Sequence, residues 1–210
     1  MAMIPPKPAP NASEFARARF RCTRLQILLA AILALSVGGA PALRAQQPKA
    51  SEFQVKAAYL YNFGRFVAWP NQNPAQASDA FEICVLGADP FGPTLDTTLA
   101  SGTISGKNVT AKRISKAQDV DDCRIVFISS SEEKRLKEVL SALDKASVLT
   151  VSDIPRFSER GGMIGFILEG DRVRFDVNLS SAQSARLTLS SELLKVAVDV
   201  RKDSHPEVSQ

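Results

Sequence analysis

Hydrophobic residues are distributed in two different ways along this chain. Residues 25–42 (LQILLAAILALSVGGAPA) form one apolar run that ends in small residues. From residue 51 onward, apolar residues recur instead at the spacings of helices and strands, separated by polar turns. The pattern therefore predicts an N-terminal hydrophobic segment followed by one folded domain.

Helical spacing first occurs after Ser51, which is the predicted cap of a helix. Trp69-Pro70 is its predicted end, because the residue before proline resists the helical conformation. Further helices are predicted at residues 94–99, from a cap at Ser130 or Ser131 to Leu143, and at residues 181–200 with Leu189, Leu193, Val196 and Val200 on the inner face. Strands are predicted at residues 81–86, 108–114, 124–129, 148–151, 163–168 and 172–178, the last two forming a hairpin.

Strands that alternate with helices early in the chain, followed by a late hairpin, are typical of an α/β fold. We predict a single α/β domain whose mostly parallel sheet is flanked by helices. The domain is expected to span residues 46–200, with a disordered tail at residues 201–210. About 165 residues are enough to form one hydrophobic core.

The apolar run at residues 25–42 has the layout of a secretory signal peptide, since four arginines precede it. Ala-x-Ala-type sequences place the cleavage after Ala42 or after Ala45. An uncleaved membrane anchor is the alternative, but about 18 apolar or small residues is the lower limit for a span and Pro41 weakens its end. We therefore predict export to the periplasm, with residues 1–45 removed as the signal peptide.

The net charge of the folded domain differs from that of the whole chain if residues 1–45 are removed on export. The chain has 26 Lys+Arg and 22 Asp+Glu, but residues 1–45 contain six of the basic residues and one of the acidic ones. The remaining chain has 26 − 6 = 20 basic and 22 − 1 = 21 acidic residues, a net charge of −1. This charge gives no indication of a nucleic-acid partner.

Two cysteines, Cys84 and Cys123, remain once the signal peptide is excluded. An even pair in an oxidising compartment favours a disulfide, and closing a loop of about 40 residues would stabilise the domain by about 4 kcal/mol. Two buried free thiols are the alternative. The only histidine, His205, lies in the polar tail, so we expect no metal site and no cofactor.

A possible ligand site follows the strand at residues 81–86. The turn that contains Gly87, Asp89 and Gly92 has the glycine spacing of a phosphate loop, but Pro93 replaces its lysine, which excludes nucleotide hydrolysis. A small polar ligand could bind at this strand–helix turn, although a purely structural turn is favoured. The pair Gly161 and Gly162 could line the same kind of site.

Aromatic residues crowd the first helix. Tyr59, Tyr61, Phe66 and Trp69, together with Phe63, exceed what one buried face needs. Rings on a second face would form a protein-binding surface, while the alternative is that they all pack against the sheet. Residue types alone leave these two interpretations equally balanced.

Catalysis has little support, because no histidine is present in the predicted domain to build a hydrolase triad. An enzyme would have to use acids such as Asp153 or Asp176. The chain is therefore expected not to be an enzyme.

Three sequence segments resemble the YfiR-type family of exported α/β regulators. They are KAAYLYNFGRFVAWP at residues 56–70, GGMIGF with RVRFDVN at residues 161–166 and 172–178, and LTLSSELLK at residues 187–195. The resemblance extends over roughly residues 52–200, and it rests on the order and spacing of these segments. Cys84 and Cys123 also lie where the family has a disulfide-forming pair.

The resemblance implies a non-enzymatic periplasmic protein that binds the periplasmic sensor domain of an inner-membrane diguanylate cyclase. Such a protein holds the cyclase inactive, so that cyclic-di-GMP production and biofilm formation rise on its release. Redox control through the disulfide is also implied, but the second cysteine pair of some relatives is missing here. A homodimer is possible, and a periplasmic small-ligand receptor that uses the turn at residues 87–94 is the alternative function.

Overall fold

The computed structural model of the protein describes residues 51–70, 79–144 and 146–202. The predicted signal peptide and most of the predicted tail lie outside these residues. The helices are α1 (Glu52–Phe66), α2 (Pro93–Leu99), α3 (Leu136–Leu143), α4 (Leu179–Ser184) and α5 (Ser191–Val196), with 3₁₀ turns at Ala117–Asp119 and Ser130–Arg135. The strands are β1 (Val67–Ala68), β2 (Ala80–Leu86), β3 (Thr103–Ile104), β4 (Lys107–Ile114), β5 (Cys123–Ile128), β6 (Leu149–Ser152), β7 (Ile164–Glu169), β8 (Arg172–Asn178), β9 (Thr188–Leu189) and β10 (Asp199–Arg201).

One mixed sheet organises the domain, in the strand order β10-β8-β7-β6-β5-β2-β4-β3. Neighbouring strands are parallel except for β3 with β4 and β7 with β8, the second of which is the predicted hairpin. The short strands β1 and β9 form a separate antiparallel pair. The predicted α/β domain with a mostly parallel sheet and a late hairpin is therefore confirmed.

The sheet buries apolar side chains on both faces, as parallel strands require. Along β2, Ile83 and Val85 face a larger core that also includes residues of α1, α2, α4 and α5. Cys84 and Leu86 face a smaller core beneath α3. Successive buried residues of β2 therefore contribute alternately to the two cores.

Helix α1 begins as predicted, with the Ser51 hydroxyl accepting a hydrogen bond from the Gln54 amide at 3.3 Å. Its end is earlier than predicted, at Phe66 rather than at Trp69-Pro70. Val67 is already extended, with φ −115° and ψ 135°, because it pairs with Leu189 of β9. Strand pairing with a distant segment therefore ends the helix before proline can.

The predicted cap of the third helix, Ser130 or Ser131, is also wrong by one or two positions. The cap is Ser129, whose hydroxyl accepts a hydrogen bond from the Ser131 amide at 3.3 Å. The first turns after it are 3₁₀, and the α-helix follows from Leu136.

The largest error concerns residues 181–200, for which the sequence predicts one helix. The structure has α4, the strand β9, α5 and the strand β10 in this segment. Arg186 has a positive φ of 64°, which ends the first helix, and Ser190 caps the second. Leu189 and Leu193 are buried as predicted, but Val196 is 59% exposed rather than on an inner face.

A buried cation connects α1 to the loop after β6. Lys56 is only 3% exposed, and its ammonium group lies 2.6 Å from Asp153 and 2.5 Å from Glu52. The ammonium also lies 4.8 Å from the centre of the Phe53 ring. This contact fixes the start of α1 over the carboxyl ends of the parallel strands.

Candidate functional site

Of the four aromatic residues predicted to bind a partner, Tyr59 is part of the core packing. Its ring lies 5.5 Å from that of Phe175 and 5.8 Å from that of Phe63. Its hydroxyl donates to the carbonyl of Val173 at 3.5 Å. Since both ends of the side chain have partners within the domain, Tyr59 serves to dock α1 on β8.

Tyr61 and Trp69 are also partly buried. The Tyr61 hydroxyl donates to the carbonyl of Thr103 at 3.2 Å, and its ring fills the space beside Gly102. The Trp69 ring packs edge-on against Phe81 at 5.4 Å, and its Nε1 is buried without a hydrogen-bond partner among the described residues. These rings pack against the sheet and its connections.

Phe66 differs from the other three because it is 38% exposed. Within the described ranges, the other large apolar side chains exposed to this degree or nearly so are Leu168 at 56%, Val196 at 59% and Val198 at 37%. Exposed apolar side chains close to one another are typical of protein-binding surfaces.

Three of these side chains belong to elements that are directly connected. The carbonyl of Phe66 accepts a hydrogen bond from the Ser190 amide at 2.9 Å, and α5, which ends at Val196, starts one residue later. The Val198 amide donates to the carbonyl of Phe175 at 2.9 Å. We call Phe66, Val196, Val198 and strand β10 the edge surface.

Strand β10 gives this surface a second property. Among the described strands it pairs with β8 alone, and it forms one edge of the large sheet. Edge strands offer unpaired backbone groups to a partner strand. Val198 directly precedes this strand, and an exposed apolar side chain next to an open strand edge is suited to binding another protein.

The turn proposed as a ligand site lies at the position where parallel α/β sheets usually bind ligands. From the adjacent strands β2 and β5 the chain continues in opposite directions, to β4 and to β6, so their carboxyl ends form a switch point of the topology. Gly87 follows β2 there with a φ of 91°. A Cβ at Gly87 would lie 2.5 Å from Ser131 Oγ, so the space over the glycine is already filled.

Arg113 occupies the polar groups of this turn. Its guanidinium donates to Asp89 at 2.9 Å, to the carbonyl of Gly92 at 2.9 Å, and to Asp96 at 2.6 Å. The hydrogen bond from Arg113 lowers the pKa of the Asp96 carboxyl below its ordinary value of 3.8. Asp89 also accepts from the Phe91 amide at 2.8 Å. The residues therefore form an internal clamp, and a ligand function of this turn is not favoured.

Gly161 lines a cavity of about 270 Å³ beside α3 and α4, together with Lys137, Thr150 and Arg160. Gly162 is buried next to Phe157, whose ring lies 2.1 Å from where a Cβ would be. Gly87, Asp89 and Gly92 do not line this cavity. The structure therefore does not gather the predicted ligand residues around one space.

The two acids considered for catalysis have structural partners. Asp153 pairs with Lys56, as described above. Asp176 accepts a hydrogen bond from the Ser158 hydroxyl at 2.7 Å and another from the Gly165 amide at 3.1 Å, both buried. Asp153 therefore connects the loop after β6 to α1, and Asp176 connects the loop that contains Ser158 to the sheet.

The predicted disulfide is present. Cys84 of β2 and Cys123 at the start of β5 are bonded, with their Cα atoms 5.8 Å apart and a separation of 39 positions in sequence. Their side chains are 0% and 3% exposed, within the smaller core. Sequence reasoning missed Glu82, which lies directly opposite Cys123 in the strand register. The alternation E-x-C in one strand is the signal that could have found it.

Among the described residues, no helix combines the length and the apolar character needed to cross a membrane. The described part of the chain is an α/β domain with a mixed sheet and a disulfide between two of its central strands.

Comparison with known proteins gives the family. The family model described as YfiR/HmsC-like (DUF4154) matches residues 53–198, which is nearly the whole described domain. The chain belongs to the YfiR/HmsC-like family. This family is a family of periplasmic regulators rather than of catalysts.

Solved structures resemble the fold at low sequence identity. A conserved domain protein from Vibrio cholerae O1 biovar El Tor strain N16961 has 11% identity and a TM-score of 0.52, over 72% of this chain and 60% of that chain. The ABC domain of Streptococcus pneumoniae in complex with L-Trp has 12% identity and a TM-score of 0.44, over 62% of this chain and 61% of that chain. The chain thus spans less than two thirds of the length of either protein, and the first likeness shows the fold alone.

Proposed function

We propose that this protein binds the periplasmic sensor domain of an inner-membrane diguanylate cyclase and holds the cyclase inactive. Cyclic-di-GMP then rises, and biofilm formation with it, when the protein is released from the sensor domain. The observation that carries the proposal is membership of the YfiR/HmsC-like family over residues 53–198. In this proposal the chain is exported by residues 1–45 and acts without catalysis.

The edge surface is the proposed binding site. Phe66, Val196 and Val198 supply apolar area that the domain itself leaves exposed, and β10 supplies backbone groups for an added strand. Hot spots of interfaces are enriched in aromatic side chains, which favours Phe66 as the central contact. Tyr59, Tyr61 and Trp69 support the position of α1 from within the domain.

A first experiment tests the function as a whole. The tagged, exported protein is purified from solubilised envelopes, and the proteins that co-purify are identified. Recovery of an inner-membrane protein with a cytoplasmic diguanylate cyclase domain supports the proposal. Recovery of no such protein by a folded, oxidised preparation contradicts it.

A second experiment tests the surface. Val196→Asp places a charge on a side chain that is 59% exposed, so the melting temperature should change little. Its affinity for the purified sensor domain is expected to fall at least tenfold, because the charge would have to be desolvated in the interface. Leu168→Asp is the matched control, since Leu168 is 56% exposed but lies on β7, outside the edge surface. Equal affinities of the two variants would show that another surface binds.

A further inference from the structure

A carboxylate lies beside the disulfide. Glu82 and Cys84 are two residues apart on β2 and point to the same face of the sheet, while Cys123 of β5 is the register partner of Glu82. A Glu82 carboxylate oxygen and the two sulfur atoms all lie within 4.8 Å of one another. Three potential ligands of a metal ion thus converge on one point, although sulfur atoms that are bonded to each other cannot act as thiolates.

The Glu82 carboxylate has few partners of its own. Its Oε2 atom is buried and accepts no hydrogen bond from any described residue. The Lys112 ammonium forms an ion pair with this oxygen at 3.6 Å, which is beyond hydrogen-bond distance. The Lys112 side chain is 41% exposed and also approaches Asp122 at 3.9 Å, so water can hydrate it without Glu82. A buried carboxylate oxygen that accepts no hydrogen bond and lies next to two sulfurs is an arrangement that a divalent cation would satisfy.

We propose that reduction of the disulfide converts Glu82, Cys84 and Cys123 into a Zn²⁺ site. A dithiol reductant supplies two electrons and two protons to the S–S bond, leaving two thiols and an oxidised dithiol. Zn²⁺ then displaces both thiol protons to solvent and binds two thiolates and one carboxylate. Water completes the four-coordinate site.

The geometry suits zinc. With Zn–S distances of about 2.3 Å, two thiolates of a tetrahedral site are roughly 3.8 Å apart. The Cα atoms of the two cysteines are 5.8 Å apart on adjacent strands, so rotation about the side-chain bonds can separate the sulfurs without moving the sheet. The carboxylate, already within 4.8 Å of both sulfurs, needs a comparably small movement.

The chemistry of the ligands selects the kind of metal. Thiolates are soft donors that prefer zinc and similar ions, whereas magnesium and calcium prefer oxygen donors throughout. Cys84 and Cys123 are 0% and 3% exposed, and a buried thiolate without a cation is strongly disfavoured. The metal therefore stabilises the reduced form specifically, and the site is present only when the disulfide is reduced.

The test is a zinc titration of the purified domain in its two redox states. A phosphine reductant is used, because a dithiol would itself chelate zinc. The reduced protein is expected to bind one Zn²⁺ per chain in a competition titration, and the oxidised protein none. Zinc should also slow the reoxidation of the thiols at least tenfold. Binding of zinc by the oxidised protein, or a stoichiometry other than one, would overturn the proposal.

Two variants separate the role of Glu82 from that of the thiols. Glu82→Gln keeps the size of the side chain and removes its charge, and it should weaken zinc binding at least tenfold. Asp122→Asn is the matched control, because it removes a neighbouring carboxylate outside the cluster and should change the affinity less than twofold. Equal binding by Glu82→Gln and the unaltered protein contradicts the proposed ligand set. Near-ultraviolet circular dichroism is recorded on the reduced, zinc-loaded protein, and loss of its signal would show that the folded site does not form.

Discussion

Replacing Asp153 by alanine is expected to destabilise the domain more than replacing its partner Lys56 by methionine. The two side chains form one ion pair, at 2.6 Å, but they differ in their access to water. The Lys56 side chain is 4% exposed, whereas those of Asp153 and Glu52 are 20% and 38% exposed. The charged side chain that loses its partner is therefore buried in one variant and hydrated in the other, and the loss of stability differs accordingly.

The magnitudes follow from this difference in burial. Breaking a buried pair from one side costs about 3–5 kcal/mol, because a charge remains without compensation. Glu52 still pairs with Lys56 in Asp153→Ala, so about 2 kcal/mol is expected for that variant. Lys56→Met removes the buried charge itself and keeps most of the apolar stem, and the remaining acids can be hydrated. Its cost is expected to be below about 1 kcal/mol.

Urea unfolding of each variant measures the free energy of unfolding. The double variant Lys56→Met/Asp153→Ala is the critical control, because removing the lysine should relieve the cost of Asp153→Ala. The double variant should thus be more stable than Asp153→Ala alone. If the destabilising effects of the two substitutions simply added, the double variant would be less stable than either single variant. A Lys56→Met variant less stable than Asp153→Ala would refute the reasoning and show that the ion pair is a net source of stability.

Three further outcomes are expected. Cys84→Ser should lower the free energy of unfolding by about 4 kcal/mol, as closure of a loop of this length implies, and a thiol reagent should then label Cys123; an unchanged urea midpoint would argue against it. Gly162→Ala should cost about 1–3 kcal/mol in the same assay, because the added methyl group meets the buried Phe157 ring, and a neutral effect would show that the ring can move away. Arg113→Ala should destabilise the domain at neutral pH and lose this effect well below pH 3.8. The depressed pKa of Asp96 means that its pairing contributes above the ordinary pKa and disappears as the carboxyl is protonated, so a pH-independent difference in melting temperature would contradict this explanation.

The elements that the sequence predicts correctly are those whose pattern is local. Strands β2 and β5 have runs of apolar residues bounded by turns, and the β7–β8 hairpin has Gly170 at its turn. The C-terminal segment is different, because Leu189 and Leu193 have helical spacing although Leu189 belongs to a strand. Its conformation is decided by pairing with Val67, which no local pattern encodes.

The candidate site shows the same division. The disulfide could be predicted from two cysteines that lie within or just before predicted strands, since adjacent strands bring such residues together. The exposure of Phe66, in contrast to Tyr59, could not be predicted, because it depends on where α1 ends and on what covers each ring. The position of Glu82 also required the register of β2 with β5.

The contacts of α1 have a consequence for the order in which the protein can fold. This helix is the first described element of the chain, yet its hydrogen bonds reach far along the sequence. Lys56 donates to Asp153, 97 positions later, and Tyr59 donates to Val173, 114 positions later. Val67, which follows α1, pairs with Leu189, so the helix lacks its packing surface until almost the whole chain has been synthesised. Contacts of such long range slow folding, because the intervening chain must be closed into a loop first. If the chain is exported as proposed, we expect it to cross the membrane unfolded and to acquire its structure only after its last strands have followed.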